Sequence, residues 1–294
     1  MNKFNEYIDR QIEFNKGKNL FLDESESPLK FIQETLYAIE KMDHINKDAE
    51  SLLIDYASDK AMQEFCRVNQ YYTFNQQAKK DLRDIYVELF SNIRNRTDST
   101  EIIAKKHYQN LKQWLQITNP FAEKIYSSDD KMVEPVACSE YSADFQIQIF
   151  QIDIAQLMEP VLDIGCGKQG DLVMYLRRNN LEAHGFDRFA IDMPYLTNAD
   201  WLDYDYGMEK WGTITSNLGF SNHFRHHHLR DDGYFIDYAG KYMAILHSLK
   251  IGGCFYYSPD LPFIEQYLDA NKYELTRQNI GKYDFKSVKI KRLK

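Results

Sequence analysis

Residues 160–172, Pro-Val-Leu-Asp-Ile-Gly-Cys-Gly-Lys-Gln-Gly-Asp-Leu, set two carboxylates, Asp163 and Asp171, around three glycines. Val161, Leu162 and Ile164 supply the short apolar run of a buried parallel strand. Gly165, Gly167 and Gly170 let the main chain turn tightly and approach a ligand without a Cβ in the way. A strand, a glycine turn and a helix in that order hold a nucleotide cofactor, and the spacing decides which kind. A phosphate-binding P-loop needs Lys-Ser or Lys-Thr after its last glycine, but Gly170 is followed by Asp171-Leu172, which excludes it. A dinucleotide-binding turn begins its glycines directly after the strand and holds a pyrophosphate on the helix N-terminus. Here Asp163 precedes the glycines by two positions and Asp171 occupies the pyrophosphate's place. Acids repel a diphosphate and favour a ligand with a positive centre.

The elements around this turn follow from periodicity. Leu172, Tyr175 and Leu176 form an apolar helix stripe ended by Arg177-Arg178-Asn179-Asn180, and Glu182–Asp187 reads as a second strand. Asp187 lies 24 positions after Asp163, close to the roughly 20-residue gap at which a βαβ unit presents a carboxylate to ribose hydroxyls. Trp211–Asn217 reads as a short β-branched fourth strand. Tyr234–Leu249 reads as an amphipathic helix through Phe235, Tyr238, Tyr242, Ile245 and Leu249, broken by Gly252-Gly253. Cys254–Ser258 reads as a fifth strand, Pro262 opens a helix, and Tyr273–Ile280 can pair with Phe285–Leu293 as a closing antiparallel hairpin.

The run Val-Leu-Asp-Ile-Gly-Cys-Gly resembles the first motif of the class I S-adenosylmethionine-dependent methyltransferases, and the likeness extends over about residues 158–294. The family's third glycine usually falls where Gln169 stands; here Gly170 comes one position later. The resemblance implies a seven-stranded, mostly parallel Rossmann-like sheet with an antiparallel terminal hairpin. It implies S-adenosylmethionine as cofactor and S-adenosylhomocysteine as product, the ammonium and sulfonium of the former meeting the acids of the turn. The cofactor-binding positions are Asp163, Gly165, Cys166, Gly167, Asp187 and Asn217. Asn198-Ala-Asp-Trp-Leu202 resembles the third-strand tip, where Asp200 accepts the adenine amino group and Trp201 packs on the base. Asn217, ending the fourth strand, faces the transferable methyl, and His223 is the first group after it able to remove an acceptor's proton.

Composition frames this domain. At 294 residues and 44% apolar, the chain can bury one or two cores, and it has no 18-residue apolar run and no signal-like N-terminus, so a cytoplasmic enzyme without a membrane anchor is expected. Cys66, Cys138, Cys166 and Cys254 have no paired spacing, which argues against a zinc site or a disulfide framework. The net charge of −8 resides in residues 1–159, whereas residues 160–294 balance. Only the tail is basic, with Lys282, Lys286, Lys289, Lys291, Arg292 and Lys294, and it reads as a lysine-guarded sheet edge.

The N-terminal half reads as a helical domain over residues 1–135, before a cofactor domain over 136–294. Ser27-Pro28 caps a stripe of Leu29, Ile32, Leu36 and Ile39; a second stripe runs Leu82, Ile85, Leu89 and Ile93; Ser99 or Thr100 caps a third, with Ile103, Leu111 and Leu115, stopped by Asn119-Pro120. Tyr126–Lys131 reads as a loop and residues 141–157 as one helix. With no Pro/Gly-rich linker between the halves, the helical half is expected to act as a substrate-selecting cap.

The acceptor is less closely specified. Phe224-Arg-His-His-His228 reads as a solvated insertion at the pocket mouth, because adjacent histidines cannot all face one ion; no metal is expected. DNA amino-methyltransferases carry Asn- or Asp-Pro-Pro-aromatic at the fourth-strand tip, and Asn217-Leu-Gly-Phe220 lacks both prolines. Cytosine-C5 enzymes need a Pro-Cys nucleophile, and no cysteine here follows a proline. Gly165–Leu172 also looks like the first motif of RNA cap guanine-N7 methyltransferases. The acidic N-terminal half and the aromatic-rich composition favour a small-molecule acceptor, an aromatic one included. An RNA or nucleotide methyltransferase and a non-catalytic cofactor-binding scaffold are the alternatives. The sequence specifies no oligomeric state.

Overall fold

The computed structural model describes residues 2–22, 27–41, 46–127, 129–136, 140–191, 193–281 and 283–294. Cys138, Ser128 of the expected loop and Lys282 of the basic tail lie outside them. The chain divides into two compact units, residues 1–138 and 139–294.

The first unit is helical: α1 (Asn2–Asn15), α2 (Gln33–Glu40), α3 (Lys47–Val68), α4 (Gln76–Asn95), α5 (Thr100–Thr118) and α6 (Phe121–Tyr126). Local capping sets several boundaries. The side chains of Asn46, Asn75 and Ser99 each accept from an amide in the first turn of α3, α4 and α5, satisfying a donor the helix itself cannot. The apolar stripe of α4 is buried at Leu82, Leu89 and Ile93. The stripe expected from Ser27 starts later, because residues 27–32 are not helical and α2 begins at Gln33. There Gln11 Oε1 accepts from Ile32 N (3.0 Å) and Thr35 Oγ1 (2.7 Å), so a side chain of α1 does the work of the missing cap.

The second unit opens with α7 (Ala143–Phe150) and a 3-10 turn at Ile154–Gln156. The single helix expected over 141–157 is thus two pieces: Gln151 takes the left-handed conformation (φ 51°) and terminates α7. Next come β1 (Val161–Ile164), α8 (Asp171–Arg178), β2 (Ala183–Asp187), β3 (Leu196–Asn198), β4 (Trp211–Asn217), α9 (Phe220–His228), α10 (Phe235–Ser248), β5 (Leu249–Ser258), α11 (Pro262–Glu265), β6 (Tyr273–Asn279) and β7 (Lys286–Arg292). Among the described residues the sheet has seven strands in the order β3-β2-β1-β4-β5-β7-β6. The first five are parallel, and β7 runs antiparallel to both neighbours. This is the seven-stranded, mostly parallel sheet with an antiparallel terminal hairpin that the resemblance implies.

Alternation along the strands builds a core on each face. Leu162, Ile164, Phe186, Ile214 and Phe255 pack with Phe220, Tyr238 and Tyr242 of α9 and α10. Val161 and Ala183 pack with Leu172, Val173 and Leu176 of α8. Fully burying each large apolar side chain contributes about 1.5–3 kcal/mol, so the parallel centre anchors the turns at its C-terminal edge. Gly252-Gly253 lies inside β5, where pairing with β4 jumps from Trp211↔Leu249 to Thr213↔Cys254. Gly252 has φ +82°, and a Cβ on Gly253 would stand 2.8 Å from Gly212 O, so the pair makes a β-bulge rather than ending the helix.

Candidate functional site

The C-terminal ends of β1, β2 and β4 bring the expected acids and glycines together. β1 is buried throughout and delivers the chain into Gly165 (φ +72°), Gly167 (φ +75°) and Gly170 (φ +63°), all in the left-handed region. Gly170 has the tightest demand, because a Cβ there would meet Leu196 Cδ2 at 2.7 Å. A Cβ on Gly165 would touch the Trp201 ring at 3.3 Å, so the indole lies against the bare backbone of the turn.

The peptide N–H groups of this turn already face carboxylates. Gly167 N donates to Asp187 Oδ2 (3.3 Å) and Lys168 N donates to Glu140 Oε1 (2.9 Å). Asp187 Oδ1 also accepts from Phe189 N (2.8 Å). In a pyrophosphate cradle such N–H groups would point at phosphate oxygens; here protein anions hold them, and the local field is negative.

Asp163 is 1% exposed, its Oδ1 accepts from Thr215 Oγ1 at 2.7 Å, and its Oδ2 has no hydrogen-bond partner. Burial pushes its carboxyl up to about 7, with the hydrogen bond from Thr215 opposing and the Asp187 charge adding. Asp187 is also raised, first by burial, with the negative charge of Glu140 adding against the amides that it accepts from. With Asp187 beside Asp163 and Glu140 beside Asp187, charge repulsion adds to burial at both buried acids, an environment that a cation relieves.

Cys166 turns away from this cradle. It is buried with Val161, Leu172 and Val173 in the core, its Sγ donates to Gly167 O at 3.4 Å, and burial pushes its thiol up. Only its backbone faces the turn. Asp200 follows β3, and its Oδ1 accepts from Leu202 N (2.9 Å). Trp201 Nε1 donates to Tyr238 Oη (3.0 Å), and its ring meets His223 edge to face at 4.5 Å.

His223 is therefore packed behind the indole. It is 2% exposed, with Nδ1 3.4 Å from Tyr238 Oη. Burial, then Arg188, His227 and His226, hold its pKa well below the ordinary histidine value, so the ring is neutral. Asn217, at the tip of β4, accepts from Ser258 Oγ through Oδ1 (3.0 Å), while its Nδ2 is buried without a hydrogen-bond partner.

The histidine run corrects an expectation. It is not a solvated insertion but the last turn of α9: His227 is buried and stacked on Tyr238, and His228 stacks on Phe263. Among the described residues no group of three or more His, Cys, Asp or Glu side chains is arranged to hold a metal ion. Two participants escaped the sequence. Thr215 was legible only once β1 and β4 were in register, which pairs it with Asp163. Glu140 comes from a non-helical segment 23 positions before Asp163, and no local pattern marks it.

No family model matches this sequence, and no curated protein matches it. Among solved structures the chain is similar to a TehB-like SAM-dependent methyltransferase from Corynebacterium glutamicum, at 17% identity over 45% of this chain and 79% of that one, TM-score 0.34. It is also similar to a S-adenosylmethionine-dependent methyltransferase from Mesorhizobium loti, at 17% identity, 46% of this chain and 59% of that one, TM-score 0.30. A third is the Burkholderia thailandensis 1,6-didemethyltoxoflavin-N1-methyltransferase with bound 1,6-didemethyltoxoflavin and S-adenosylhomocysteine, at 14% identity, 46% and 71% coverage, TM-score 0.31. The chain spans 59% of the length of the Mesorhizobium loti chain. These are partial likenesses; the fold itself rests on the strand order and register above. Among the described residues no helix is long and apolar enough to cross a membrane.

Proposed function

We propose that the glycine turn between β1 and α8 binds S-adenosylmethionine and that the chain is a methyltransferase acting on a small-molecule acceptor. The observation that carries this reading is the occupation of the turn's N–H groups by Asp187 and Glu140, next to the unpartnered buried Oδ2 of Asp163. That arrangement repels a diphosphate and suits a ligand carrying ammonium and sulfonium charge. The group fits the residues present: a bare backbone at Gly165, an aromatic face at Trp201, and carboxylate lone pairs still open on Asp187.

Bound there, the cofactor would supply an electrophilic methyl group. Asp163 and Glu140 would meet its positive end, Asp187 its ribose hydroxyls, and Asp200 and Trp201 its base. Asn217, with an unpartnered buried amide nitrogen, would orient the acceptor, since in-line transfer chiefly needs the attacking atom held in place and water excluded. His223 is better suited to hold Trp201 and Tyr238 than to take a proton, because a buried imidazole of depressed pKa is a weak base. It thus moves from a catalytic to a positioning role. The helical unit, 1–138, would select the acceptor.

Calorimetric titration tests the reading. S-adenosylmethionine and S-adenosylhomocysteine should bind one per chain, and Asp163→Asn and Asp187→Asn should each weaken binding by about ten-fold or more, as removal of a charge-assisted partner does. S-adenosylhomocysteine formation against pooled metabolites and against total RNA then identifies the acceptor class. Turnover on RNA alone refutes the small-molecule assignment, and absence of cofactor heat refutes the whole reading.

A further inference from the structure

The helical unit holds a cavity of about 190 Å³. Its wall is chiefly aliphatic and aromatic, with Phe4, Leu53, Phe65, Phe90 and Ile93 among its members. An engineered apolar cavity of about 150 Å³ holds the six carbons of benzene, so this space takes a hydrocarbon tail of about seven carbons. The charges on the wall are unevenly matched. The side chains there that carry charge at neutral pH are Glu64 and Lys18, since burial lowers the pKa of His107 to about 3 and leaves it neutral.

Glu64 is fully engaged. Arg67 donates to it through Nε and Nη2, each at 2.7 Å, and Gly17 N donates to its Oε1 at 3.2 Å. Lys18 has no carboxylate partner. Its Nζ donates to Asn15 Oδ1 (3.2 Å), and Asn15, itself on the cavity wall, donates in turn to Tyr108 Oη (2.6 Å), also on the wall. An ammonium carries three donors, so this contact leaves two to spare. A second cation stands beside the first: Lys18 Nζ lies 3.4 Å from the centre of the Phe14 ring and Lys30 Nζ 5.9 Å from the same centre. Phe14 is 39% exposed, so the pair gathers around one ring at the surface of the unit. Among the described residues neither lysine is paired with an acid. Burial and the charge of Lys30 both lower the Lys18 pKa, a strain that an anion between them relieves.

We propose that the helical unit binds a small apolar monocarboxylic acid, its hydrocarbon tail in the cavity and its carboxylate paired with Lys18 in the field of Lys30. A neutral apolar molecule fills the cavity but leaves both cations uncompensated. A compact polar anion meets the cations but forgoes the apolar wall. An acid with one tail satisfies both. No residue of the sheet unit lines the cavity, so the proposal stands apart from the cofactor reading.

The test titrates the full chain by calorimetry with octanoate, 1-octanol and butanoate at neutral pH. The wild type should bind octanoate saturably at one site, about five-fold more tightly than 1-octanol, as one partly exposed ion pair allows. Butanoate, with four fewer carbons to bury, should bind about a hundred-fold more weakly than octanoate. Lys18→Met keeps a long apolar stem without the charge; it should abolish the preference for octanoate and leave 1-octanol binding within about two-fold. Lys30→Met should narrow that preference to about two-fold; should Lys18→Met fail to fold, Lys30→Met and the chain-length series decide. Failure of the wild type to saturate with octanoate, equal affinity for octanoate and 1-octanol, equal affinity for octanoate and butanoate, or an octanoate preference that survives Lys18→Met would each overturn the proposal. S-adenosylmethionine titrated into the same samples should bind unchanged, which keeps failure here distinct from failure of the cofactor site.

Discussion

Replacing Asp163 with asparagine should stabilise the protein while impairing its site, and the size of the effect follows from burial. The carboxyl sits at about 7 in the folded chain against an ordinary 3.8, a gap of about 3 pH units, or about 4 kcal/mol at 1.36 kcal/mol per unit. The sign is that of a raised acid. Below the unfolded value the folded state carries no penalty; stability is lost as pH climbs from the unfolded toward the folded pKa, and the full cost persists above it. Asparagine keeps an oxygen for Thr215 Oγ1 to donate to and carries no charge to desolvate. The Asp163→Asn chain should therefore be the more stable at alkaline pH, and its margin should widen by about 2 kcal/mol between about pH 5.5 and about pH 8.5. Scanning calorimetry across that range measures the margin directly. The cationic cofactor prefers the ionised carboxylate, so wild-type affinity for S-adenosylmethionine should rise through pH 7, and the variant should show no such rise. A variant less stable than wild type at every pH, or a margin independent of pH, would refute the reasoning.

The glycines of the turn separate ligand effects from folding effects. Gly165→Ala should cost about 1–2 kcal/mol for its left-handed backbone and displace Trp201, so that cofactor affinity falls more than the melting temperature suggests. Gly170→Ala should be the more destabilising, since its Cβ would overlap Leu196; thermal melts of both variants check the order. Asp187→Asn sets an amide NH₂ against one of the two backbone donors, Gly167 N or Phe189 N, and should raise the cofactor Kd by about ten-fold with little change in far-UV circular dichroism. Arg277→Ala should destabilise by about 3 kcal/mol, because it strips the buried Glu265 of the guanidinium that donates to its Oε2 through both Nε and Nη2; Glu265→Gln in the same background should restore part of the loss in denaturant melts.

The sequence was most legible where one residue type has one purpose. Three glycines at positive φ, an apolar strand and an acid ahead of them leave little freedom, and β1, the turn and α8 lie where that pattern puts them. The same is true of the terminal hairpin and of α5 with its Ser99 cap. Legibility failed where tertiary contacts outweigh local preference. Residues 141–157 keep helical periodicity past the point where Gln151 turns left-handed. Gly252-Gly253 reads as a stop, yet the close approach of the Gly212 carbonyl calls for a residue without a side chain inside a strand. The histidine run is polar in composition, but the faces of α9 bury His223 and His227 against Trp201 and Tyr238. Glu140 was invisible because its role depends on a contact with Lys168, 28 positions away.

The placement of Trp201 gives the molecule an optical reporter of its own. Trp114 and Trp211 are both buried with their indole N–H groups bound to carbonyls, Ala78 O and Tyr206 O. Trp201 is half-buried, faces the glycine turn, and is tied through its N–H to a tyrosine hydroxyl rather than to the main chain. Its emission should thus respond when a base stacks on the indole, while the other two supply a steady background. Occupancy of the cradle can then be followed by intrinsic fluorescence in real time, without labelling and before any acceptor is known.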